Sequence, residues 1–226
     1  MLQVGVILAG CGYLDGAEIQ EAVLTLLALD KAKVEIHCLA PDIEQMHVVN
    51  HFTGQPTNEK RSVLVEAARI ARGNILDVKM IKADDLDALI IPGGYGVVKN
   101  ISTYATKGID CDINPDVAAL VQEMAKAKKP IGAICIAPAM IAKILGGLCI
   151  KATLTIGTEE PTASDIGRMG CIHKKSRVTD IVTDRKNKIV STPAYMLGPS
   201  ISHVAKGIDK LVKEVVGMAK KKKRKE

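Results

Sequence analysis

Apolar and polar positions alternate along the chain in two periods. Leu2 to Leu8, "LQVGVIL", is a strand-like run, apolar except for Gln3. In Ala17 to Leu29 the apolar residues Ile19, Ala22, Val23, Leu26 and Leu27 recur at helical spacing. "VEIHCLA" predicts a second strand, and an irregular stretch through "HFTGQPTNE" leads to a helix over Ser62 to Arg72, stopped by Gly73. "LDALIIPGG" reads as a buried strand ending in a glycine turn. Asn114-Pro115 opens a helix reaching about Lys128, with a capping side chain and then proline at the first helical position. "PIGAIC" predicts the next strand, and "APAMIAKIL" the next helix, closed by Gly146-Gly147. The pattern then loosens through "ATLTIG", a short helix near Thr162 to Met169, and two β-rich runs, "VTDIVTD" and "KIVST". A last helix starts at about Pro199, with Ile201, Val204, Ala205, Ile208, Leu211, Val212 and Val215 on one side.

Repeated strand-helix alternation predicts an α/β fold: a three-layer α/β/α sandwich with a mainly parallel sheet and right-handed crossovers. Neither an internal repeat nor an interdomain linker interrupts it, so residues 1–217 read as one domain. Residues 218–226 read as a basic, disordered tail. With 47% hydrophobic residues but only 2% aromatic, no Trp and one Phe, the core is expected to be aliphatic.

The formal charge of +6 changes this picture little, because Lys220 to Lys225 against Glu226 account for a net +5 of it. A basic tail without a basic body argues against nucleic-acid binding. Six cysteines without CxxC spacing or a metal-type cluster with the five histidines read as reduced thiols. No signal peptide and no run long enough to span a membrane is visible, so the expectation is a cytoplasmic protein with no metal and no cofactor.

In an open parallel sheet, ligands gather beyond the carboxyl ends of strands. Three strand ends carry unusual residues: Gly10 to Glu18, Pro92 to Asn100, and Cys135-Ile136. A cysteine at a strand-to-helix turn is either a small buried hydrophobe or a nucleophile whose thiolate the helix N-terminus favours. Its position tips Cys135 toward the second, since Cys38 and Cys149 lack a following helix. Gly93-Gly94 is either an ordinary turn or, with the amide of Ile136, an oxyanion hole. Glu18 is either a first-turn acid that complements the helix dipole or a proton carrier facing Cys135. Spacing alone does not choose. His51, Cys11 and Asn100 are possible pocket residues, each with structure as the commoner role; Lys99 stands beside Asn100 in the same position.

The segments "LAGCGYLDGAEIQEAVLTLLAL", "APD", "NHFTG", "EAARIARG", "LDALIIPGGYGVVKN", "CIAPAM" and "STPAYML" resemble the ElbB-type branch of the PfpI-like, class I glutamine amidotransferase-like superfamily, from about Val4 to Val215. The resemblance implies a flavodoxin-like sandwich with Cys135 at a nucleophile elbow, Glu18 as the neighbouring acid, and Gly94 and Ile136 as backbone donors. It also implies a homodimer. Its function would be a glutathione-independent glyoxalase (glyoxalase III), a cofactor-independent lyase of hydro-lyase type acting on a small dicarbonyl, with a link to isoprenoid biosynthesis. Amidotransferases of the superfamily carry a late H-x-E, whereas His173 and His203 here are followed by Lys-Lys and Val-Ala. PfpI-type proteases carry His after the cysteine, and here Ile136 stands there. Glutaminase and protease chemistry are therefore disfavoured. The alternatives are a deglycase or hydrolase using the same cysteine, and a redox-sensing or interaction protein in which Cys135 is oxidised.

Overall fold

The computed structural model describes residues 1–223. Its strands are β1 (Gln3–Ile7), β2 (Glu35–Ala40), β3 (Val48–Asn50), β4 (Gln55–Thr57), β5 (Ile75–Asp77), β6 (Ala88–Ile91), β7 (Ile131–Ile134), β8 (Thr153–Leu154), β9 (Ile172–His173), β10 (Val182–Asp184) and β11 (Ile189–Thr192). Its α-helices are α1 (Ile19–Lys31), α2 (Val63–Ile70), α3 (Tyr104–Lys107), α4 (Pro115–Lys126), α5 (Ala137–Gly147), α6 (Glu160–Arg168) and α7 (Ile201–Lys223). None is long and apolar enough to cross a membrane among the described residues.

Seven strands form one sheet in the order β10-β11-β7-β6-β1-β2-β5, parallel throughout except for the β10–β11 hairpin. The expected α/β/α sandwich is thus observed. β6 and β7 are buried at every position, because helices cover both sheet faces. Alternate residues serve opposite layers: Leu89 and Ile91 pack with Val117 and Leu120 of α4 and Ile141 of α5, while Ala88 and Ile90 pack with Ala22 of α1 and Leu211 and Val215 of α7. The chain leaves β1 toward β2 on one side and returns to β6 on the other, so a topological switch point lies between β1 and β6.

Four expectations are corrected. The "irregular" stretch holds the β3–β4 hairpin, and β5 adds an edge strand too short to show a period. Of "VTDIVTD" only Val182–Asp184 is strand. On α1, Ile19, Val23 and Leu27 are 43%, 48% and 44% exposed, while Glu21, Ala22, Thr25, Ala28 and Leu29 are buried. The helix is apolar nearly all round, so its period does not mark the inner face. Finally, α7 continues through the start of the expected tail with Met218 and Ala219 buried; residues 224–226 lie outside the described residues.

Candidate active site

The carboxyl ends of β1, β6 and β7 converge beside the switch point. Cys135 follows β7 directly and turns the chain into α5 with φ +61°, a left-handed conformation for a residue with a Cβ. Such a residue costs about 1–2 kcal/mol, held here by the surrounding fold. One anchor is the Cys135 amide, which donates to the Thr192 carbonyl at 3.0 Å, extending the β7–β11 ladder. The residue is 8% exposed, and the backbone amides of Gly94 and Ile136 lie on the side of its sulfur, where they favour the charged form. The structure thus brings Gly94 and Ile136, paired in the sequence expectation, to the same side of Cys135.

The acid against the sulfur is Glu21, not Glu18. Glu21 is fully buried and lies against Cys135, its Oε2 and the sulfur both crowding the Gly93 Cα; it accepts the Gly93 amide at 2.9 Å and the Tyr195 amide at 3.1 Å. Burial raises it to about 8, against an ordinary 4.5, despite those two donors, so it is protonated at neutral pH. Glu18 lies one turn earlier, at the N-cap of α1, and accepts the Glu21 amide at 2.6 Å. Burial also raises Glu18, opposed by the amides of Glu21 and Gln20. Its carboxylate lines the same cavity as Cys135.

Burial pushes the Cys135 thiol well above its ordinary value, and the charge of Glu21 adds to this. The amides of Gly94 and Ile136 pull the other way. The expectation of a thiolate favoured by the helix N-terminus is thus reversed for the resting site: burial outweighs two donors. What the pair can do is pass one proton between a thiol and a carboxyl group, the carboxyl titrating near neutrality.

Two glycines make this approach possible. A Cβ on Gly93 would sit 2.4 Å from the Cys135 Cβ and 2.8 Å from Glu21 Oε2. Gly94 has φ +99°, and a Cβ there would lie 2.4 Å from the Glu18 nitrogen and the Gly16 oxygen. The Glu18 amide in turn donates to the Gly93 carbonyl at 2.9 Å, fastening α1 to the β6 turn.

Cys135 opens into a cavity of about 870 Å³ whose walls include Tyr13, Glu18, Tyr95, Tyr104, Glu159 and Tyr195. All four tyrosines of the chain are there. Aromatics are rare in the chain and concentrated at the site. Tyr195 follows Ala194, which is buried with φ +44°, and that turn aims the Tyr195 amide at Glu21.

The other expected pocket residues prove structural. Asn100 donates to the carbonyls of Ala9 at 3.0 Å and Asp15 at 2.7 Å and accepts the Met46 amide at 2.9 Å. Lys99 donates to the Leu14 carbonyl at 2.9 Å and lies 5.3 Å over the Tyr95 ring. His51 packs edge-on against Tyr13 at 5.4 Å; its Nε2 lies 3.3 Å from the Leu14 amide and 3.7 Å from Asp15 Oδ1, and its Nδ1 pairs with the Val49 carbonyl at 3.0 Å, so it braces the loop. Cys11 is half-buried outside the cavity lining, its thiol raised by burial and then by Glu66. His173 and His203 are also outside it. Among the described residues no group of three or more His, Cys, Asp or Glu is arranged to hold a metal ion.

Comparison with known proteins identifies the relatives of this chain. The model of the "DJ-1/PfpI family" matches residues 11–151. The chain is 41% identical over 229 residues to the ES1 protein homolog, mitochondrial, of Rattus norvegicus, covering 97% of this chain and 85% of that one. It is 41% identical to the human glutamine amidotransferase-like class 1 domain-containing protein 3, mitochondrial, covering 97% and 84%. Among solved structures, an isoprenoid biosynthesis protein with amidotransferase-like domain from Ehrlichia chaffeensis superposes with a TM-score of 0.90 at 41% identity, covering 96% of this chain and 99% of that one.

Proposed function

Because this chain belongs to the DJ-1/PfpI family, we propose that it is a cofactor-independent glyoxalase that converts glyoxal to glycolate on Cys135. The observation that carries this reading is the buried Glu21 carboxyl group packed with the Cys135 sulfur against Gly93, where Gly94 and Ile136 line the cavity beside it. The sulfur adds to one aldehyde carbon, forming the S–C bond, and the thiol proton passes to the aldehyde oxygen to give a hemithioacetal. The protonated Glu21 gives its proton to the second aldehyde oxygen as it takes the C–H proton from the first carbon, forming an enediol; it then gives that proton to the second carbon while taking the hydroxyl proton of the first, which leaves a glycolyl thioester and Glu21 protonated as at the start. Water cleaves the thioester, releasing glycolate and restoring the thiol. Oxygen charge at the addition and hydrolysis steps falls to the two amides.

Catalysis does not require a preformed thiolate. A thiol raised by burial loses its proton as the S–C bond forms, and a carboxyl group that titrates at about 8 is matched to moving protons at neutral pH. The six free cysteines support work in a reducing compartment, the cytoplasm of the sequence expectation or the mitochondrion named for the relatives. The name of the Ehrlichia structure, an isoprenoid biosynthesis protein, supports a place for this reaction beside isoprenoid-forming ones. A second reading, a deglycase or hydrolase with the same cysteine, is favoured by the size of the cavity.

The test is to incubate the purified protein with glyoxal and follow glycolate, beside Cys135→Ala. Turnover is expected in the wild type and absent in the variant, with a mass increase on Cys135 under rapid quench. Glycolate formed equally by Cys135→Ala contradicts the proposal.

A further inference from the structure

We propose that the Cys135 cavity selects a carbonyl compound carrying a bulky neutral or cationic group and turns anions away. This rests on the glyoxalase reading above for the reaction, but its evidence is the cavity wall.

The first observation is size. A volume of about 870 Å³ lies in the range of roughly 300–1,000 Å³ that holds drug-sized ligands. A two-carbon dicarbonyl leaves most of it empty. The second is that the four tyrosines are fixed as walls. Tyr104 donates to Asp165 Oδ2 at 2.7 Å, Tyr195 hydrogen-bonds to Gln20, Tyr13 packs on His51, and Tyr95 lies under Lys99. Rigid aromatic rings bind flat or apolar groups and attract cations to their faces.

The third observation concerns charge. Helix N-termini are ready anion sites, because their first amides are unpaired. Three of the longer helices, α1, α5 and α6, start at this cavity; α5 has no side-chain cap and begins at Ile136, beside the sulfur, while α1 and α6 are each capped by a glutamate that lines the cavity. Glu18 accepts the Glu21 amide at 2.6 Å, and Glu159 accepts the Thr162 amide at 2.8 Å. The carboxylates thus occupy donors an anion would need and put negative charge in their place. Among the described residues no Lys, Arg or His lines the cavity. The amides left over are those of Gly94 and Ile136, and they face the sulfur, where the oxyanion forms.

Intrinsic fluorescence tests this directly, since the chain has no tryptophan and all four tyrosines line the cavity. Full-length Cys135→Ala protein is titrated with three probes of one shape: cyclohexylmethylammonium, cyclohexylmethanol and cyclohexanecarboxylate. The ammonium and the alcohol are expected to bind, and the carboxylate to bind at least about tenfold more weakly than the ammonium. Glu18→Gln with Glu159→Gln keeps both cap acceptors and removes the charge; it is expected to bring the carboxylate within about threefold of the alcohol. A carboxylate that binds as tightly as the ammonium overturns the inference, as does silence from all three probes. The ranking on Cys135→Ala decides this even if the double variant does not fold. On the wild type, kcat/KM is compared for glyoxal, phenylglyoxal and 4-carboxyphenylglyoxal, with phenylglyoxal expected to lead. Probes that rank as expected without conversion of any oxoaldehyde keep the cavity inference and sink the reaction. Glyoxal turnover with the carboxylate probe ranked first does the reverse.

Discussion

Gly93→Ala tests whether the packing of the site controls its chemistry. Gly93 lies outside the left-handed region, so alanine meets no backbone penalty and the effect is confined to one methyl group. That methyl carbon would sit 2.4 Å from the Cys135 Cβ, 2.8 Å from Glu21 Oε2 and 3.0 Å from the Cys135 sulfur. Carbon atoms rest at about 3.5–4.0 Å, so the β6 turn and the elbow must part by about 1 Å or more. Neither side yields easily: Cys135 is tied to Thr192, and Glu21 to Gly93 and Tyr195. Overpacking of this kind costs about 1–3 kcal/mol of stability. A misplacement of about 1 Å between reacting groups costs about 10²-fold in rate. The assays are thermal unfolding, iodoacetamide labelling of Cys135 followed by peptide mass mapping, and turnover of glyoxal. An unchanged Tm together with unchanged Cys135 labelling and turnover refutes the packing argument.

The remaining predictions are narrower. Glu21 titrates at about 8 when folded, against about 4.5 unfolded, so between these values the unfolded state holds fewer protons and stability falls as pH rises. Glu21→Gln is expected to remove that slope, worth a few kcal/mol between about pH 4.5 and pH 8 in denaturant titrations; an identical slope in the variant contradicts the assignment. Asn100→Ala removes three hydrogen bonds that bind the Ala9, Asp15 and Met46 backbones; it should cost about 2–3 kcal/mol and lower Tm by about 4–10 °C, with residual turnover in the folded fraction. The proposed homodimer is supported by the exposed Ile19, Val23 and Leu27 on successive turns of α1; light scattering should show a dimer for the wild type and a monomer for Val23→Asp, and a monomeric wild type contradicts it.

The fold was legible in sequence because its strands are short buried aliphatic runs with helices between them. Cys135, Gly94 and Ile136 were legible because a strand-to-helix turn and a glycine turn are local features. The acid was not. Glu18 and Glu21 form an E-x-x-E start, and choosing between them requires the inner face of α1, which the exposed Ile19, Val23 and Leu27 disguise. The usable signal was small residues: Ala22, Thr25 and Ala28 mark the face that packs closely, and Glu21 belongs to it. The tyrosine walls were illegible for another reason, since Tyr13, Tyr95, Tyr104 and Tyr195 come from four separate segments, the last three of them in helical turns. Only the folded carboxyl end of the sheet brings those segments together.

The most direct measurement of the central claim compares glycolate formation from glyoxal in Glu21→Gln and Glu18→Gln. If Glu21 carries the proton, Glu21→Gln loses about 10²–10⁴-fold in kcat, whereas Glu18→Gln, whose amide oxygen still caps α1, stays within about tenfold of the wild type. Equal losses, or a larger loss in Glu18→Gln, contradict the account.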